Sequence, residues 1–356
     1  MPNIPADRLS DLVLLAARAM GSSEAEAQDV ADHLVAANLS GHDSHGVGML
    51  PDYVRLLHAG LLVPNQTLAL VADTGGVLVF DAARGFGQAM AKEAMRRGIE
   101  RARATGSVVV ALRNSAHIGR IGHWVEQCAA AGMVSVHFVN VADHAPLQAP
   151  FGCSDARLGT NPFAAGVPGA EGQPLVLDMA TSTIAFGKAR VARNKGVPVP
   201  AGALIDEHGR PTTDPTTYVD TRQGALLAFG AHKGSGLAIL CEVLGAAVTG
   251  GATIAPHHER KDGILNSMLS FILDGSAVGD PSRIARETAA VGEWVKTSPP
   301  APGFDEVLLP GEPERRARQR RLAEGMPIDD RSLADILAAI ASLGVSEVEL
   351  DRALGR

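Results

Sequence analysis

Cysteine and aromatic residues are scarce in this chain of 356 residues, and both shortages narrow its class. The three cysteines, Cys128, Cys153 and Cys241, stand far apart without the close pairs of a zinc site, and their odd number suits a reducing compartment. Aromatic residues make up 4%, too few for the stacking platforms of nucleic-acid binding. We therefore predict a cytoplasmic protein that does not bind nucleic acid.

Long hydrophobic runs and charge blocks are missing as well. Residues 1–7 lack the basic start and apolar run of a signal peptide, and no stretch approaches the roughly 18 apolar residues of a membrane span. The formal net charge of −7 is dispersed, and the basic cluster at residues 315–321 is flanked by Glu314 and Glu324, as on a solvated helix face. We predict a protein that is neither exported nor inserted into a membrane.

Familiar catalytic signatures are also absent. Residues 85–90, Gly-Phe-Gly-Gln-Ala-Met, resemble a dinucleotide fingerprint but have Met90 where the third glycine belongs, so a plain tight turn into a helix fits as well. Neither of the two tyrosines is followed four residues later by lysine, and His-Glu-x-x-His does not occur. No metal site is predicted, and a nicotinamide would need a fold other than the Rossmann fold.

Apolar periodicity gives the expected order of elements. Helices are predicted over residues 7–20, 23–39, 49–58, 86–104, 124–131 and 233–248, the second opened by a capping-box pattern at Ser23–Glu26. Strands are predicted over residues 68–71, 77–80, 107–112, 134–141, 175–177 and 268–273. Residues 194–221 are predicted to form a long ordered loop, and everything after residue 281 to be helical. Such alternation indicates a sheet covered by helices.

Two histidines have sequence neighbours that suit a role in proton transfer. A carbonyl reduced by hydride needs a proton, and histidine is the usual donor near neutral pH. His45 follows Ser44, which could hold one ring nitrogen, and precedes a glycine that allows close approach; a structural histidine is an equal alternative. His117 follows a predicted strand, where ligands collect, although Asn114 or Ser115 could simply cap a helix there.

Two further segments carry suitable polar groups. Asp178 ends an apolar strand and could orient a histidine or bind a ribose hydroxyl, while Thr181 and Ser182 could cap the next helix. Lys233 opens a predicted helix with Gly-Ser-Gly, where backbone amides and a lysine suit a phosphate or a carboxylate.

In this order the motifs resemble the type-2 malate/L-lactate dehydrogenase family, over nearly the whole chain. The motifs that carry the resemblance are Asp-Ser-His-Gly-Val at 43–47, Gly-Phe-Gly-Gln at 85–88, Asn-Ser-Ala-His-Ile-Gly at 114–119, Leu-Gly-Thr-Asn-Pro at 158–162, Leu-Asp-Met-Ala-Thr-Ser at 177–182, His-Lys-Gly-Ser-Gly at 232–236 and Leu-Pro-Gly-Glu at 309–312. Within the family, residues 37–45, 117–122 and 195–200 are most similar to the hydroxycarboxylate dehydrogenase branch, which reduces 2-oxo acids such as phenylpyruvate and hydroxyphenylpyruvate.

The resemblance implies an α/β fold with a mixed sheet flanked by helices, a non-Rossmann, L-sulfolactate dehydrogenase-like nicotinamide fold, and a helical domain formed by both chain ends. Its predicted regions are an N-terminal helical segment at 1–75 with the Ser-His-Gly motif, a sheet-containing cofactor- and substrate-binding domain at 76–275, and C-terminal helices at 276–356 that pack with the N-terminal segment. It also implies a homodimer with the active site near its interface, and NAD or NADP as cofactor, with NADH slightly favoured.

The resemblance also assigns residue roles. His45 is the acid/base, assisted by Ser44 and Asp178, and His117 and Thr160 meet the substrate. The residues expected to line the cofactor are His117, Gly119, Asp178, Met179, Ala180, Thr181, Ser182, His232, Lys233, Gly311 and Glu312.

One departure from the family concerns the substrate. Most members have an arginine four residues after the catalytic histidine to bind the substrate carboxylate, and here that position is Met49. The loss of such a charge-assisted contact argues against small dicarboxylates and favours a bulkier, less polar substrate. We therefore predict an NAD(P)H-dependent reductase of phenylpyruvate-like 2-oxo acids, with malate/L-lactate dehydrogenase or cyclic-imine (piperideine-2-carboxylate) reductase as alternatives. A metal-dependent hydrolase using His42, His45 and His117 is the alternative from another class.

Overall fold

A computed structural model describes residues 3–356. Within them the α-helices, α1 to α12 in chain order, span Ala6–Ala19, Glu24–Leu39, Leu50–His58, Gly87–Thr105, Gly122–Ala130, Phe186–Lys195, Thr216–Thr221, His232–Glu242, Pro281–Lys296, Glu312–Glu324, Asp330–Ala341 and Glu347–Leu354. The strands, β1 to β13, span Asn3–Ile4, Ala69–Asp73, Val77–Asp81, Ser107–Ser115, Met133–Ala142, Gln148–Ala149, Phe163–Val167, Leu175–Met179, Leu204–Ile205, Pro211–Thr212, Ala225–Leu227, Leu265–Asp274 and Met326–Pro327.

A seven-stranded mixed sheet organises these elements, with strand order β2-β3-β4-β12-β5-β7-β8. β3 and β4 are parallel and the other neighbours are antiparallel. Side chains alternate between the faces of a strand, so Val139 joins the apolar core under α4 and α5, whereas Asn140 turns to the opposite face and bonds Glu242 of α8. The predicted mixed sheet flanked by helices is therefore confirmed.

The two ends of the chain form one helical layer. Leu9 of α1 and Leu34 of α2 share an apolar core with Leu333 and Ile336 of α11. β1 pairs antiparallel with β13. The layer thus brings together segments more than 300 residues apart in sequence. None of the helices within residues 3–356 is long and apolar enough to cross a membrane. The proposed division into domains at residues 75 and 275 remains a prediction.

A small-sheet lobe is formed by the strands β6, β9, β10 and β11 with the helices α6 and α7. Its sheet has the order β10-β9-β11-β6, and its core includes Leu204, Tyr218 and Leu226. The prediction of a loop over residues 194–221 is wrong here, because β9, β10 and α7 lie inside that range. Strands of two residues and a helix of six are too short to produce the periodicity on which such predictions depend.

Three more local predictions are corrected. The Ser23 hydroxyl accepts a hydrogen bond from the Glu26 amide. The Glu26 carboxylate accepts from the Asn65 amide instead of the Ser23 amide, so the capping box is only half formed. The helix at residues 233–248 ends in a π-helical turn at Val243–Ala247. The C-terminal region is not helical throughout, because β13 pairs there with β1.

Candidate active site

The loops that carry His117, Asp178 and Thr160 lie at the same end of the strands of the large sheet. β3, β4, β5 and β8 all run in one direction, since β12 is antiparallel to β4 and β5, and β7 is antiparallel to β5 and β8. Their carboxyl ends therefore meet at one edge, which carries His117 just after β4 and Asp178 at the end of β8. Thr160 precedes β7 at the same edge. Ligands collect at such edges in α/β folds.

His45 comes to this edge on a tightly held segment between α2 and α3. Two 3-10 turns, Asp43–His45 and Val47–Met49, form the segment. Asn38 accepts a hydrogen bond from Val47 N at 2.8 Å, and a Cβ at Gly46 would lie 2.1 Å from the Asn38 Oδ1 atom. Arg321 of α10 binds the Asp43 carboxylate through Nη2 at 2.9 Å. Gly46 is thus sterically required, and His45 has a fixed position.

The two histidines contact each other directly. His45 Nδ1 lies 3.2 Å from His117 Nε2, and the rings are nearly parallel, with 10° between their planes. His117 Nδ1 lies 2.8 Å from the Tyr53 hydroxyl, which in turn accepts a hydrogen bond from Gln88 Nε2 at 2.6 Å. Both ring nitrogens of His117 are therefore engaged, whereas His45 Nε2 has no partner among residues 3–356.

This chain of hydrogen bonds assigns the protons. An amide nitrogen can only donate, so Gln88 donates to Tyr53. The Tyr53 hydroxyl has no other acceptor among residues 3–356, so its hydrogen goes to His117 Nδ1. Neutral His117 then carries its proton on Nε2 and donates to His45 Nδ1. His45 therefore carries its own proton on Nε2, the ring nitrogen that takes no part in these hydrogen bonds. We call these four residues, Gln88, Tyr53, His117 and His45, the histidine relay.

Burial keeps both imidazoles neutral. Burial lowers the pKa of His117, and the neighbouring His45 adds to the effect. Burial is also the main cause that lowers the pKa of His45, against a raising effect from the Asp178 carboxylate. Asp178 is thus the group that stabilises a proton on His45.

A buried arginine holds Asp178. Arg120 is only 2% exposed, lies 3.3 Å from the Asp178 Oδ2 atom through Nε, and also pairs with Glu126. The Arg120 amide donates to His33 Nε2 at 2.9 Å, which fixes the loop after His117. A Cβ at Gly122 would lie 2.6 Å from Asp178 Oδ2, so only glycine leaves room for this carboxylate.

Other predicted site residues occupy different positions. Ser44 makes no hydrogen bond to His45 among the described residues; its Cβ would lie 3.3 Å from a Cβ added to Gly187 of α6. The Thr160 carbonyl accepts from the amide and the hydroxyl of Thr181, at 2.9 and 2.8 Å. The Ser182 hydroxyl donates to the Ile184 carbonyl. The hydroxyls of Thr181 and Ser182 therefore donate to backbone carbonyls and do not cap the next helix, which was the alternative for these two residues.

The remaining predicted cofactor residues surround this edge. Gly119, Met179 and Ala180 lie in the loops after β4 and β8. His232 and Lys233 are exposed at the start of α8, which follows Phe229, whose amide donates to the Thr181 carbonyl. Gly311 and Glu312 begin α10 beside β8, where Val176 N bonds the Pro310 carbonyl. The part each plays in binding stays a prediction.

Sequence reasoning missed Tyr53, Gln88 and Arg120. Tyr53 lies on the apolar face of α3, where a tyrosine is expected to be a core residue. Gln88 lies in the Gly-Phe-Gly-Gln segment, which fits a plain turn into a helix. Arg120 stands within one of the quoted motifs, three residues after His117, but an arginine in a loop is ordinarily exposed. His42, one of the histidines of the hydrolase alternative, is instead 3.1 Å from Glu314.

Comparison with known proteins identifies the class. A model of the malate/L-lactate dehydrogenase family matches residues 4–337, and the chain belongs to this family of oxidoreductases. Hydroxycarboxylate dehydrogenase B of Escherichia coli K12 is 48% identical over 352 residues, which cover 97% of this chain and 95% of that protein. The predicted family and its hydroxycarboxylate branch are thus confirmed.

Solved structures agree with this assignment. An Escherichia coli structure assigned to the malate/lactate dehydrogenases superposes with a TM-score of 0.95 at 46% identity, covering 100% of this chain and 99% of that one. The sulfolactate dehydrogenase of Methanocaldococcus jannaschii superposes with a TM-score of 0.85 at 31% identity, covering 97% and 98% of the two chains. The predicted L-sulfolactate dehydrogenase-like fold is therefore confirmed.

Proposed function

We propose that this protein reduces 2-oxo acids to 2-hydroxy acids with NADH or NADPH, reversibly, and prefers substrates with a bulky, weakly polar side chain such as phenylpyruvate. The observation that carries the proposal is the histidine relay, which ends on a free His45 Nε2 at the carboxyl edge of the sheet. A carbonyl that receives a hydride needs a proton on its oxygen, and this nitrogen can supply it.

The residues at the site fit a nicotinamide cofactor. Gln88 Oε1 is buried without a hydrogen-bond partner among the described residues, and Asp178 Oδ2 faces the Arg120 guanidinium without a well-aligned hydrogen bond, as expected where a polar ligand completes the bonding. The groups that would hold the cofactor are the predicted ones: His117, Gly119, Asp178 to Ser182, His232, Lys233, Gly311 and Glu312. When bound, the dihydronicotinamide supplies the hydride for the carbonyl carbon.

The chain's own residues then manage the proton. Uptake of a second proton on His45 Nδ1 requires His117 to hold its own proton on Nδ1 and to accept at Nε2. The resulting His45 imidazolium transfers its Nε2 proton to the carbonyl oxygen and is left neutral, with its remaining proton on Nδ1. Asp178 stabilises the protonated imidazole before the transfer, because its carboxylate raises the pKa of His45. Tyr53 and His117 keep the ring oriented by their hydrogen bonds. In the oxidative direction the neutral form of His45 that carries its proton on Nδ1 accepts the hydroxyl proton on Nε2.

The preference for bulky substrates follows from Met49. This side chain is half-buried and packs against the core of the terminal helices, so it contributes no cation to the site. The segment around His45 therefore offers no cation to the second carboxylate of a dicarboxylate such as oxaloacetate. Malate/L-lactate dehydrogenase activity and cyclic-imine reduction are the alternative outcomes of the test.

The test is a substrate panel with each cofactor. Phenylpyruvate, hydroxyphenylpyruvate, pyruvate, oxaloacetate and piperideine-2-carboxylate are assayed with NADH and with NADPH, and kcat/KM is compared. We expect phenylpyruvate to exceed oxaloacetate. A preference of about tenfold or more for oxaloacetate or for the cyclic imine, where one tenfold step equals about 1.4 kcal/mol, would refute the proposed substrate class.

A variant tests the role of His45 separately. General acid catalysis contributes about 10²- to 10⁴-fold, so His45→Ala is expected to lower kcat by at least about two orders of magnitude. The dissociation constant of NADH should stay near the wild-type value, because the cofactor groups are unchanged. Turnover equal to that of the wild type would remove His45 from the mechanism.

We also propose a cytoplasmic homodimer. The outward face of α8 and its π-helical turn is apolar, with Ile239, Leu240, Val243 and Val248 exposed by 45, 52, 44 and 60%. Contiguous apolar faces of this kind mark protein interfaces. The same helix begins with His232 and Lys233, so a second subunit here would lie close to the proposed cofactor site.

A further inference from the structure

One arginine at the edge of the small-sheet lobe has no carboxylate partner. The guanidinium carbon of Arg222 lies 3.7 Å from the centroid of the Phe186 ring, in a cation–π contact. Among the side chains that the structure describes, no carboxylate oxygen pairs with it within 4.0 Å. By contrast, Arg193 on the neighbouring helix pairs with Asp220 at 2.9 Å.

The backbone of Arg222 is in an unusual conformation. It follows α7 with φ of 60° and ψ of 20°, the left-handed region in which glycine is the usual residue at a helix end. A non-glycine residue there is strained, and strained residues cluster at functional sites. The chain therefore has an arginine at a position where glycine would be less strained.

The surroundings of Arg222 reach the segment that carries His45. Phe186 begins α6, and the next residue, Gly187, lies against Ser44, the neighbour of His45. Burial lowers the pKa of Arg222. Tyr218 of α7 opposes that effect, and so, to a smaller extent, does Asp52, which precedes Tyr53 on α3. The charge of Arg222 also adds to the burial that lowers the pKa of His144, just after β5.

Two arginines that lie near the relay, Arg120 and Arg55, are already neutralised. Arg120 pairs with Asp178 and Glu126, and Arg55 of α3 pairs with Asp52. Arg222 instead has a second cation, Arg190, as a neighbour that further lowers its pKa. Arg222 is exposed, and a cation with a like-charged neighbour and no counter-ion is suited to an anionic ligand.

We propose that Arg222 binds the substrate carboxylate, the role that the family resemblance gives to an arginine at the position of Met49. The inference rests on the proposed reduction of a 2-oxo acid. The cation belongs to the small-sheet lobe, on a different element from the segment that carries Met49. Phe186 holds the guanidinium plane from one side, and the donors that Tyr218 does not engage are those the proposal gives to the carboxylate.

The test compares Arg222→Gly with Arg210→Gly. Arg210 lies in the same lobe, is exposed and pairs with Asp206, so its loss removes an equal charge away from the relay. For Arg222→Gly we expect kcat/KM for phenylpyruvate to fall by about 10- to 100-fold, chiefly through KM, the usual effect of losing a hydrogen bond to a charged group. NADH binding, followed by fluorescence titration, should not change. The melting temperature should not fall, since glycine relieves the left-handed strain.

A neutral substrate analogue separates carboxylate binding from other effects. The wild type and Arg210→Gly should prefer phenylpyruvate over its carboxamide, and Arg222→Gly should lose most of that preference. Arg222→Asn, which also tolerates the left-handed conformation, should behave likewise and serves if the glycine variant is unstable. A retained preference, or a change in NADH affinity instead of KM, overturns the role of Arg222. A wild type that reduces no 2-oxo acid shows instead that the proposed function itself is wrong.

Discussion

Removal of one hydroxyl group tests the histidine relay most directly. Tyr53→Phe keeps the ring that packs against Phe86 and deletes only the oxygen that lies 2.8 Å from His117 Nδ1 and 2.6 Å from Gln88 Nε2. His117 then loses the donor that holds its proton on Nε2, and the tautomer of His45 is no longer fixed. A buried polar group left unpaired costs about 1–3 kcal/mol, and an equal loss in the transition state lowers kcat about 5- to 150-fold.

The assay is the steady-state reduction of a 2-oxo acid at saturating cofactor, with kcat and KM separated. The matched control is Ser270→Ala, which deletes another 2.8 Å contact between a hydroxyl and a buried imidazole, that of His137 within the sheet. Both variants should lose comparable stability, and only Tyr53→Phe should lose turnover. A kcat for Tyr53→Phe within threefold of the wild-type value, or an equal loss in Ser270→Ala, would show that the relay does not orient His45.

Three further outcomes are expected. Burial lowers the pKa of His45 to about 4, so its protonated fraction falls as pH rises. We expect kcat/KM for reduction to decline about tenfold per pH unit above pH 5. A profile that stays flat to pH 8 would contradict the neutral resting state of His45 and His117. Burial lowers the pKa of His137 to about 3, so below about pH 6.5 only the unfolded state gains this proton, and the free energy of unfolding should drop by about 2 kcal/mol from this histidine alone between pH 7 and 5. Urea unfolding that gives equal values at both pH values would refute this. Leu240→Glu should yield monomers by analytical ultracentrifugation, while Leu322→Glu, which alters an exposed leucine of α10, should leave a dimer intact; a Leu240→Glu dimer would dismiss the α8 interface.

Elements with strong local signals were predictable from the sequence. The helix predicted at residues 86–104 is found at Gly87–Thr105, and the strand predicted at 134–141 at Met133–Ala142. Both are long enough for their apolar period to be read. β13 could not be predicted, because its partner β1 lies at the other end of the chain. The small-sheet lobe was missed for a related reason, since pairing between distant segments stabilises its two-residue strands.

Part of the site was visible as well. His45 and His117 could be chosen because their neighbours, a serine, a glycine and a strand end, suggest chemistry. Their contact at 3.2 Å could not, since it joins residues 72 apart in sequence. Arg222 carried no sequence signal either, because a left-handed backbone angle and the absence of a carboxylate partner are properties of the fold alone.

The pairing of β1 with β13 bears on how the protein matures during synthesis. The helical layer that carries His45 is closed by α11, and Arg321 of α10 holds Asp43 next to the two 3-10 turns. A nascent chain therefore exposes the apolar faces of α1 and α2 until nearly the whole polypeptide has left the ribosome. Contacts of such long sequence separation form late and slowly. Chains that terminate before residue 321 should fail as catalysts even with all four relay residues present, and would be candidates for chaperone binding or proteolysis.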